Sequence, residues 1–228
     1  MRDWSYNLVS LDIDGVFDGS LFWPHASEKR KMPLHHWPRL RNFYVRLGVS
    51  TPTGGWYFGH TSKNLYRNVP LEDKLQPLFE SWVKGLQYMP VLEQALVLFN
   101  ITLEIRQVGF RDYPSVKNWA IGFQAPGLNP YLTRAPWGKN LTADHLDHPR
   151  IVYQNVGSWQ PYRSALWKLY AMGKFRFPDK KMIELDVDTA GRITDICRER
   201  KSRMVSRPWG VVEVPHYISS GLPAESQM

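Results

Sequence analysis

The chain has 228 residues, of which 43% are hydrophobic and 22% charged, a composition that excludes a long disordered polymer and supports a packed core. Its 29 basic and 21 acidic residues give a net charge of +8, which favours a polyanionic neighbour such as RNA, anionic lipid or an acidic protein. The single cysteine, Cys197, excludes an internal disulfide and a cysteine-based zinc site. The first ten residues carry an acid at position 3 and no long apolar core, so no secretory signal is expected, and the longest apolar run, residues 95–99, is too short to span a bilayer. We therefore expect a protein of a reducing compartment that is not secreted.

The first predicted element in chain order is a strand over residues 7–13, where apolar and polar side chains alternate. Residues 24–42 contain three prolines and many basic side chains, which predicts an extended basic arm. A second strand is predicted over residues 42–50, and a turn-rich stretch over residues 51–62 follows it.

An amphipathic helix is predicted over residues 70–88, because the apolar residues of this segment recur at the spacing of one helical face. Pro70 suits the first turn of this helix, and two acidic residues suit its positive N-terminal end. Pro77 is expected to kink the helix or to split it in two. A second helical segment is predicted from Pro90 through residue 99.

Strand candidates at residues 101–110 and 115–123 have the spacing of an antiparallel pair. The next segment, residues 125–149, contains four prolines and is predicted to be irregular. A further strand is predicted over residues 150–156.

The last third of the chain begins with a helix predicted over residues 161–172, with Gly173 placed to end it. Residues 181–196 predict a β-hairpin, because apolar residues alternate on either side of the turn sequence Asp188-Thr-Ala-Gly. The order of strands and helices lacks the regular alternation of a doubly wound sheet. The sequence therefore predicts the α+β class, with short antiparallel strands and hairpins, an amphipathic helical block and long irregular arms.

The domain organisation follows from this order of elements. One α+β domain is expected over residues 1–215, with the extended basic arm near residues 24–42. Residues 216–228 are polar and are expected to form a peripheral C-terminal tail.

The segment "LDIDGVFDG" places Asp12 and Asp14 at alternate positions of the first predicted strand, so that both side chains point to one side. This segment resembles the first motif of the haloacid dehalogenase-like phosphatases. The resemblance implies that Asp12 attacks phosphorus, that Asp14 acts as acid and base, and that Mg²⁺ neutralises the cluster. The other residues of such a site are best matched by Ser50 or Thr51, by Lys180 or Lys181, and by Asp186 and Asp188.

A structural interpretation of the same segment competes with the phosphatase interpretation. "LDIDG" looks like "LDVDTAG" of the predicted hairpin, and Asp and Gly are favoured in such turns for geometry alone. We favour this structural interpretation. In "DHLDHP", residues 144–149, His145 and His148 offer a metal site, but a short polar turn is favoured because nothing supplies a second ligand pair.

Basic residues cluster in two segments and are the candidate contacts to RNA or to a protein partner. These residues are Lys29, Arg30, Lys31, Arg39, Arg41, Arg198, Arg200, Lys201 and Arg203. The aromatic residues Trp37, Phe43, Tyr44 and Trp209 lie near them in sequence, and arginine beside aromatic rings suits phosphate contacts and base stacking. No motif that reads bases accompanies them, so any RNA contact is expected to be made through phosphates.

These observations favour a non-catalytic structural subunit of a large assembly, with a mitochondrial ribosome-type ribonucleoprotein as the leading example. Neighbouring protein subunits and RNA are the expected partners, the mitochondrial matrix side is the expected location, and no cofactor is expected. Long irregular arms support this function, since they become ordered when buried against neighbours. Two alternatives remain open: an accessory subunit of a respiratory or other membrane-associated complex, and a magnesium-dependent phosphatase.

Overall fold

The computed structural model describes residues 6–23, 37–61, 64–108, 111–128, 140–157, 159–188 and 192–195. Nine strands are present in these residues: β1 Ser10–Gly15, β2 Asn42–Leu47, β3 Phe58–Thr61, β4 Asn64–Pro70, β5 Gln94–Val108, β6 Arg111–Gln124, β7 Arg150–Gln154, β8 Ile183–Val187 and β9 Ile193–Asp195. The helices of the described residues are α1 Glu72–Leu86, the one-turn α2 Ala143–Leu146, and α3 Arg163–Arg176. A short 3-10 turn at Gly19–Leu21 follows β1. This combination confirms the predicted α+β class.

Seven strands form one mixed sheet in the order β1-β2-β5-β6-β7-β8-β9, and β3 and β4 form a separate antiparallel pair. Strands β1, β2 and β5 are parallel, as are β7 and β8, whereas β6 and β9 run antiparallel to their neighbours. Helix α1 lies in the connection between β2 and β5, and α3 lies in the connection between β7 and β8. The five strands that share one direction therefore end at the same edge of the sheet.

The larger hydrophobic core lies between one face of the sheet and the helices α1 and α3. Strand residues that point to this face include Phe43, Val97 and Ile121, which pack with Trp82 of α1 and Leu169 of α3. A smaller apolar cluster lies on the opposite face of the sheet. It contains Leu96, Leu98, Val152 and Leu185, with Leu146 of α2 packed against it.

The amphipathic helix is confirmed, and its predicted apolar positions are buried between Leu75 and Leu86. Pro77 does not split the helix, because α1 is one continuous element of 15 residues. Pro70 belongs to β4 and not to the first turn, and Leu71 is the N-cap residue.

The predicted helix at residues 90–99 is wrong, because β5 begins at Gln94 and runs through this segment. Its apolar residues are continuous because the strand lies between β2 and β6 and is buried on both faces. A short apolar run of this kind is equally typical of a buried helix, so the sequence of the segment does not distinguish the two. The antiparallel pairing of the two strands predicted after it is confirmed in β5 and β6.

Gly173 does not end the third helix, which continues to Arg176. A Cβ atom at Gly173 would meet the terminal methyl group of the flexible Met182 side chain, so this glycine lies in a closely packed part of the core and not in a turn. The predicted hairpin at residues 181–196 is confirmed by the antiparallel pairing of β8 with β9. By contrast, "LDIDG" is not part of a hairpin, since β1 pairs with β2 in parallel.

The predicted basic arm is partly outside the described residues, which include only residues 37–41 before β2 begins at Asn42. Within this part, Trp37 and Leu40 are buried in the larger core, and the ring of Trp37 lies 5.6 Å from that of Phe43. This part of the arm is therefore packed against the domain.

Candidate interaction surface

Two of the predicted basic contact residues, Arg39 and Arg41, lie in the described residues, and both are exposed. The guanidinium of Arg41 forms an ion pair with Glu93, and its backbone N–H donates to the carbonyl of Val9 at 2.8 Å. Arg41 therefore helps to join β1 to the start of β5 while its side chain stays at the surface. The other predicted contacts, Lys29, Arg30, Lys31, Arg198, Arg200, Lys201 and Arg203, lie outside the described residues.

The aromatic residues near Arg39 and Arg41 are not available for base stacking. Trp37, Phe43 and Tyr44 are all at least nine-tenths buried, and the hydroxyl of Tyr44 donates to the side chain of Gln94. Trp209 lies outside the described residues. The arginines near β2 therefore lack the exposed rings that the sequence places beside them.

Asp12 and Asp14 are exposed on β1, which is the edge strand of the sheet. The carboxylate of Asp14 accepts a hydrogen bond from the guanidinium of Arg46 at 2.9 Å, across the parallel pair β1–β2. Asp12 lines an open hollow of about 410 Å³ together with Tyr44 and Leu96. This hollow lies on the sheet face opposite the helices.

Asp186, one of the acidic residues that the phosphatase resemblance requires, lies far from Asp12 and Asp14 along the sheet. Asp186 lies on β8, which is five strand positions from β1, and neighbouring strands are spaced by about 4.8 Å, so the separation is roughly 24 Å. Thr51 accepts from the backbone N–H of Gly55 at 2.9 Å and belongs to a turn. In the part of the chain that the structure describes, no three His, Cys, Asp or Glu side chains are grouped so that they could hold a metal ion.

The "DHLDHP" segment forms a one-turn helix with a capping box. The backbone N–H of His145 donates to the hydroxyl of Thr142, and the ring Nδ1 of His145 accepts from the Thr142 backbone N–H, both at 3.3 Å. The carbonyls of His145 and His148 accept hydrogen bonds from the guanidinium of Arg150 at 3.1 and 3.2 Å. Burial lowers the pKa of Arg150 to about 10, because its charge is removed from water. These contacts give the segment a structural role as a polar turn.

Helix α3 packs its inner face on α1 and on the sheet. Ala165, Leu169 and Met172 are buried on this face, and the hydroxyl of Tyr170 donates to the buried carboxylate of Glu184 on β8. Arg176 donates to the carbonyls of Leu86, the last residue of α1, and of Met89, where a cation is favoured by the negative end of that helix. The inner face of α3 is therefore fully engaged within the domain.

The outer face of α3 carries an exposed apolar stripe, which we define as Trp167, Ala171 and Phe175. Trp167 is 71% exposed and Phe175 is 87% exposed. At 3.6 residues per turn and 1.5 Å per residue, the three positions span about 80° of the helix circumference and about 12 Å of its length. Two large aromatic side chains thus lie on one face of a regular helix, with no described part of the chain covering them.

The charged side chains of α3 that flank the stripe are all basic. Helical geometry places Arg163 and Lys174 on one side of the stripe and Lys168 on the other. Helix α3 contains no acidic residue. The outer face of α3 therefore combines an apolar centre with a cationic rim.

Sequence reasoning identified this helix but did not identify its exposed face. The signal is present, because Trp167 and Phe175 lie among the basic residues of the face opposite Leu169 and Met172. An exposed apolar patch with a polar rim is typical of an interaction site.

Comparisons with protein-family models, with curated protein sequences and with solved structures find no match to this chain. Among the described residues, none of the helices has the length and apolar character that crossing a membrane requires.

Proposed function

We propose that this protein is a non-catalytic structural subunit of a large assembly and that it docks on a neighbouring subunit through the α3 stripe. The observation that supports this proposal is the exposure of Trp167 and Phe175 on one helical face. Aromatic residues are enriched at the centres of protein interfaces, where they contribute most of the binding energy.

The location of the α3 stripe suits a docking role. Its opposite face is fixed to α1 and the sheet, so the exposed rings are held on a rigid helix. A rigid helix face loses little conformational entropy when it binds, and this favours affinity. Such a face fits the recognition mode in which an amphipathic helix occupies an apolar groove of its partner.

The charge of α3 defines the chemistry of the partner. The rim of Arg163, Lys168 and Lys174 is complementary to acidic side chains around an apolar groove. We therefore propose a protein subunit with an acidic, apolar docking groove as the direct partner of α3. We propose that the two basic segments contact phosphates in the same particle. The net charge of +8 favours a polyanionic neighbour, and we propose that this particle is a mitochondrial ribosome-type ribonucleoprotein.

Sedimentation of the native protein through a density gradient tests this proposal. We expect the wild-type protein to sediment with a large particle and the double variant Trp167→Ser/Phe175→Ser to sediment as a free chain with unchanged thermal stability. Val116→Ser is the matched control, because Val116 is 54% exposed on β6 and lies outside the stripe. Wild-type protein that sediments as a free chain, or a double variant that stays with the particle, would contradict the proposal.

Treatment with RNase before sedimentation separates the two kinds of assembly. Release of the wild-type protein by RNase supports the ribonucleoprotein, and retention in an RNase-resistant particle supports an assembly of protein subunits alone.

A further inference from the structure

A cleft of about 660 Å³ lies at the edge of the sheet where the five co-directional strands end. Its walls come from β4, the start of α1, the β5–β6 pair and the loop after β7. Crevices at the carboxyl ends of parallel strands are common ligand sites in sheets that are crossed by helices. The cleft has the size of a small-molecule pocket, and it is separate from the α3 stripe.

The loop after β7 has an unusual backbone where it forms the cleft wall. Asn155 has a φ of 54°, and Gly157 has a φ of +67°. Positive φ is uncommon for a residue other than glycine, and such conformations cluster at functional sites. The side-chain amide of Asn155 donates to the carbonyl of Asn118 at 2.8 Å, so this conformation is fixed to β6.

The same loop is held from the other side by Gln76 of α1, whose side chain is 1% exposed. Its amide group donates to the carbonyl of Gln160 at 2.8 Å, and its side-chain oxygen accepts from the backbone N–H of Tyr162 at 2.9 Å. A buried amide that is satisfied by the backbone of a loop fixes the position of that loop. The cleft wall is therefore preorganised, which lowers the entropic cost of binding.

Two opposite charges line this cleft. Glu72 lies one helical turn before Gln76 on the same side of α1. Lys117 lies directly opposite Ile101 in the β5–β6 register and on the same side of β6 as Trp119. Neither Glu72 nor Lys117 forms an ion pair with another described residue, so both charges are available to a ligand.

The apolar part of the cleft is formed by Trp119, Trp159 and Ile101. The two indole rings are 5.3 Å apart at an angle of 63°, and among the described residues neither buried indole N–H has a hydrogen-bond partner. Buried donors without a partner are destabilising by about 1–3 kcal/mol each, and they are rare enough to require an explanation. This wall is therefore the apolar part of the cleft, formed by rings that also belong to the larger core.

We propose that this cleft binds a short zwitterionic peptide of two or three residues with an apolar side chain. The carboxylate of the peptide pairs with Lys117, its ammonium group pairs with Glu72, and its apolar side chain packs on Trp119 and Trp159. Gln160, at the rim, supplies an amide that matches the peptide bond. A simple anion or a simple cation fits less well, because the cleft presents one charge of each sign.

Isothermal titration of the full-length protein with leucyl-leucine and two blocked derivatives tests this proposal. We expect the dipeptide to bind, and we expect both the N-acetylated and the C-terminally amidated dipeptide to bind at least about tenfold more weakly, since each loses one charge pair. Lys117→Gln is expected to abolish the discrimination against the amide but to keep the discrimination against the acetylated form. Glu72→Gln is expected to abolish the discrimination against the acetylated form but to keep the discrimination against the amide.

The matched control is Lys168→Gln, which removes a lysine on α3 away from the cleft and should leave dipeptide binding unchanged. Failure of the wild-type protein to bind leucyl-leucine with a Kd below about 1 mM would overturn the proposal. Equal binding of all three dipeptides, or equal effects of Lys117→Gln and Lys168→Gln, would also overturn it. The α3 variant Trp167→Ser should bind the dipeptide as the wild type does, so this proposal and the docking proposal fail independently.

Discussion

Truncation to alanine should change the unfolding free energy very differently at two tryptophans, one on each of the two long helices. Trp82 of α1 is 0% exposed, and its ring lies 5.1 Å from that of Phe79 within the larger core. Trp82→Ala removes the whole indole and leaves a cavity, which costs about 3–5 kcal/mol of unfolding free energy. Trp167 of α3 is 71% exposed, so Trp167→Ala should change the unfolding free energy by less than about 0.5 kcal/mol.

Equilibrium unfolding in urea measures both effects on the isolated protein. We expect Trp82→Ala to lower the transition midpoint strongly with an unchanged slope, because a loss of stability at constant compactness shifts the midpoint alone. Trp82→Phe should recover part of the loss by refilling the cavity. A loss below about 1 kcal/mol for Trp82→Ala would refute the placement of Trp82 in the core. A loss above about 1.5 kcal/mol for Trp167→Ala would refute the claim that α3 has a free outer face.

Three further predictions concern polar contacts. Gln76→Ala should cost about 1–3 kcal/mol in urea unfolding, because it removes two hydrogen bonds from a buried side chain to the loop after β7, each contributing about 0.5–1.5 kcal/mol. Asp14→Asn should change the unfolding free energy by less than about 1 kcal/mol, since the Asp14–Arg46 pair is exposed to solvent; a larger loss would mean that β1 depends on this pair. The hydrogen bond and charge of Lys180 lower the pKa of Asp147, so the interaction is present at neutral pH and is lost as pH falls through that lowered pKa. NMR titration of Lys180→Met should show the pKa of Asp147 raised toward its ordinary value, and an unchanged pKa would contradict this contact.

The elements that local sequence predicts well are those whose own periodicity decides their structure. Helix α1 has one apolar face over four turns, and the β8–β9 hairpin has alternating strands around a turn that begins at Asp188. Both were predictable because neighbouring residues in the sequence supply the decisive contacts.

The elements that sequence reasoning missed depend on distant contacts. Residues 95–99 are apolar on both faces because β2 and β6 flank them, and the segment alone does not show these neighbours. Gly173 resembles a helix end, but it packs against Met182, which directly precedes β8, and the helix continues to Arg176. The parallel pairing of β1 with β2 joins residues about thirty positions apart, which is why "LDIDG" was misread as a hairpin.

The candidate sites were missed for a related reason. Runs of basic residues can be identified in the sequence alone. The α3 stripe can be identified only from the fold, because the fold shows which face of the helix is buried. Similarly, Glu72 and Lys117 are 45 positions apart in the sequence (117 minus 72), and only the fold places them at one cleft.

Photo-crosslinking from the α3 stripe tests the docking claim most directly. A photoreactive amino acid at position 167 of the native protein reports which molecule contacts this face within the assembly. We predict a crosslink to one neighbouring protein subunit, at a groove lined by apolar and acidic residues, and no crosslink when the same photoreactive group replaces Val116. A crosslink from position 167 to RNA or lipid, or none at all in the assembled particle, would contradict the proposed docking of α3 on a protein subunit.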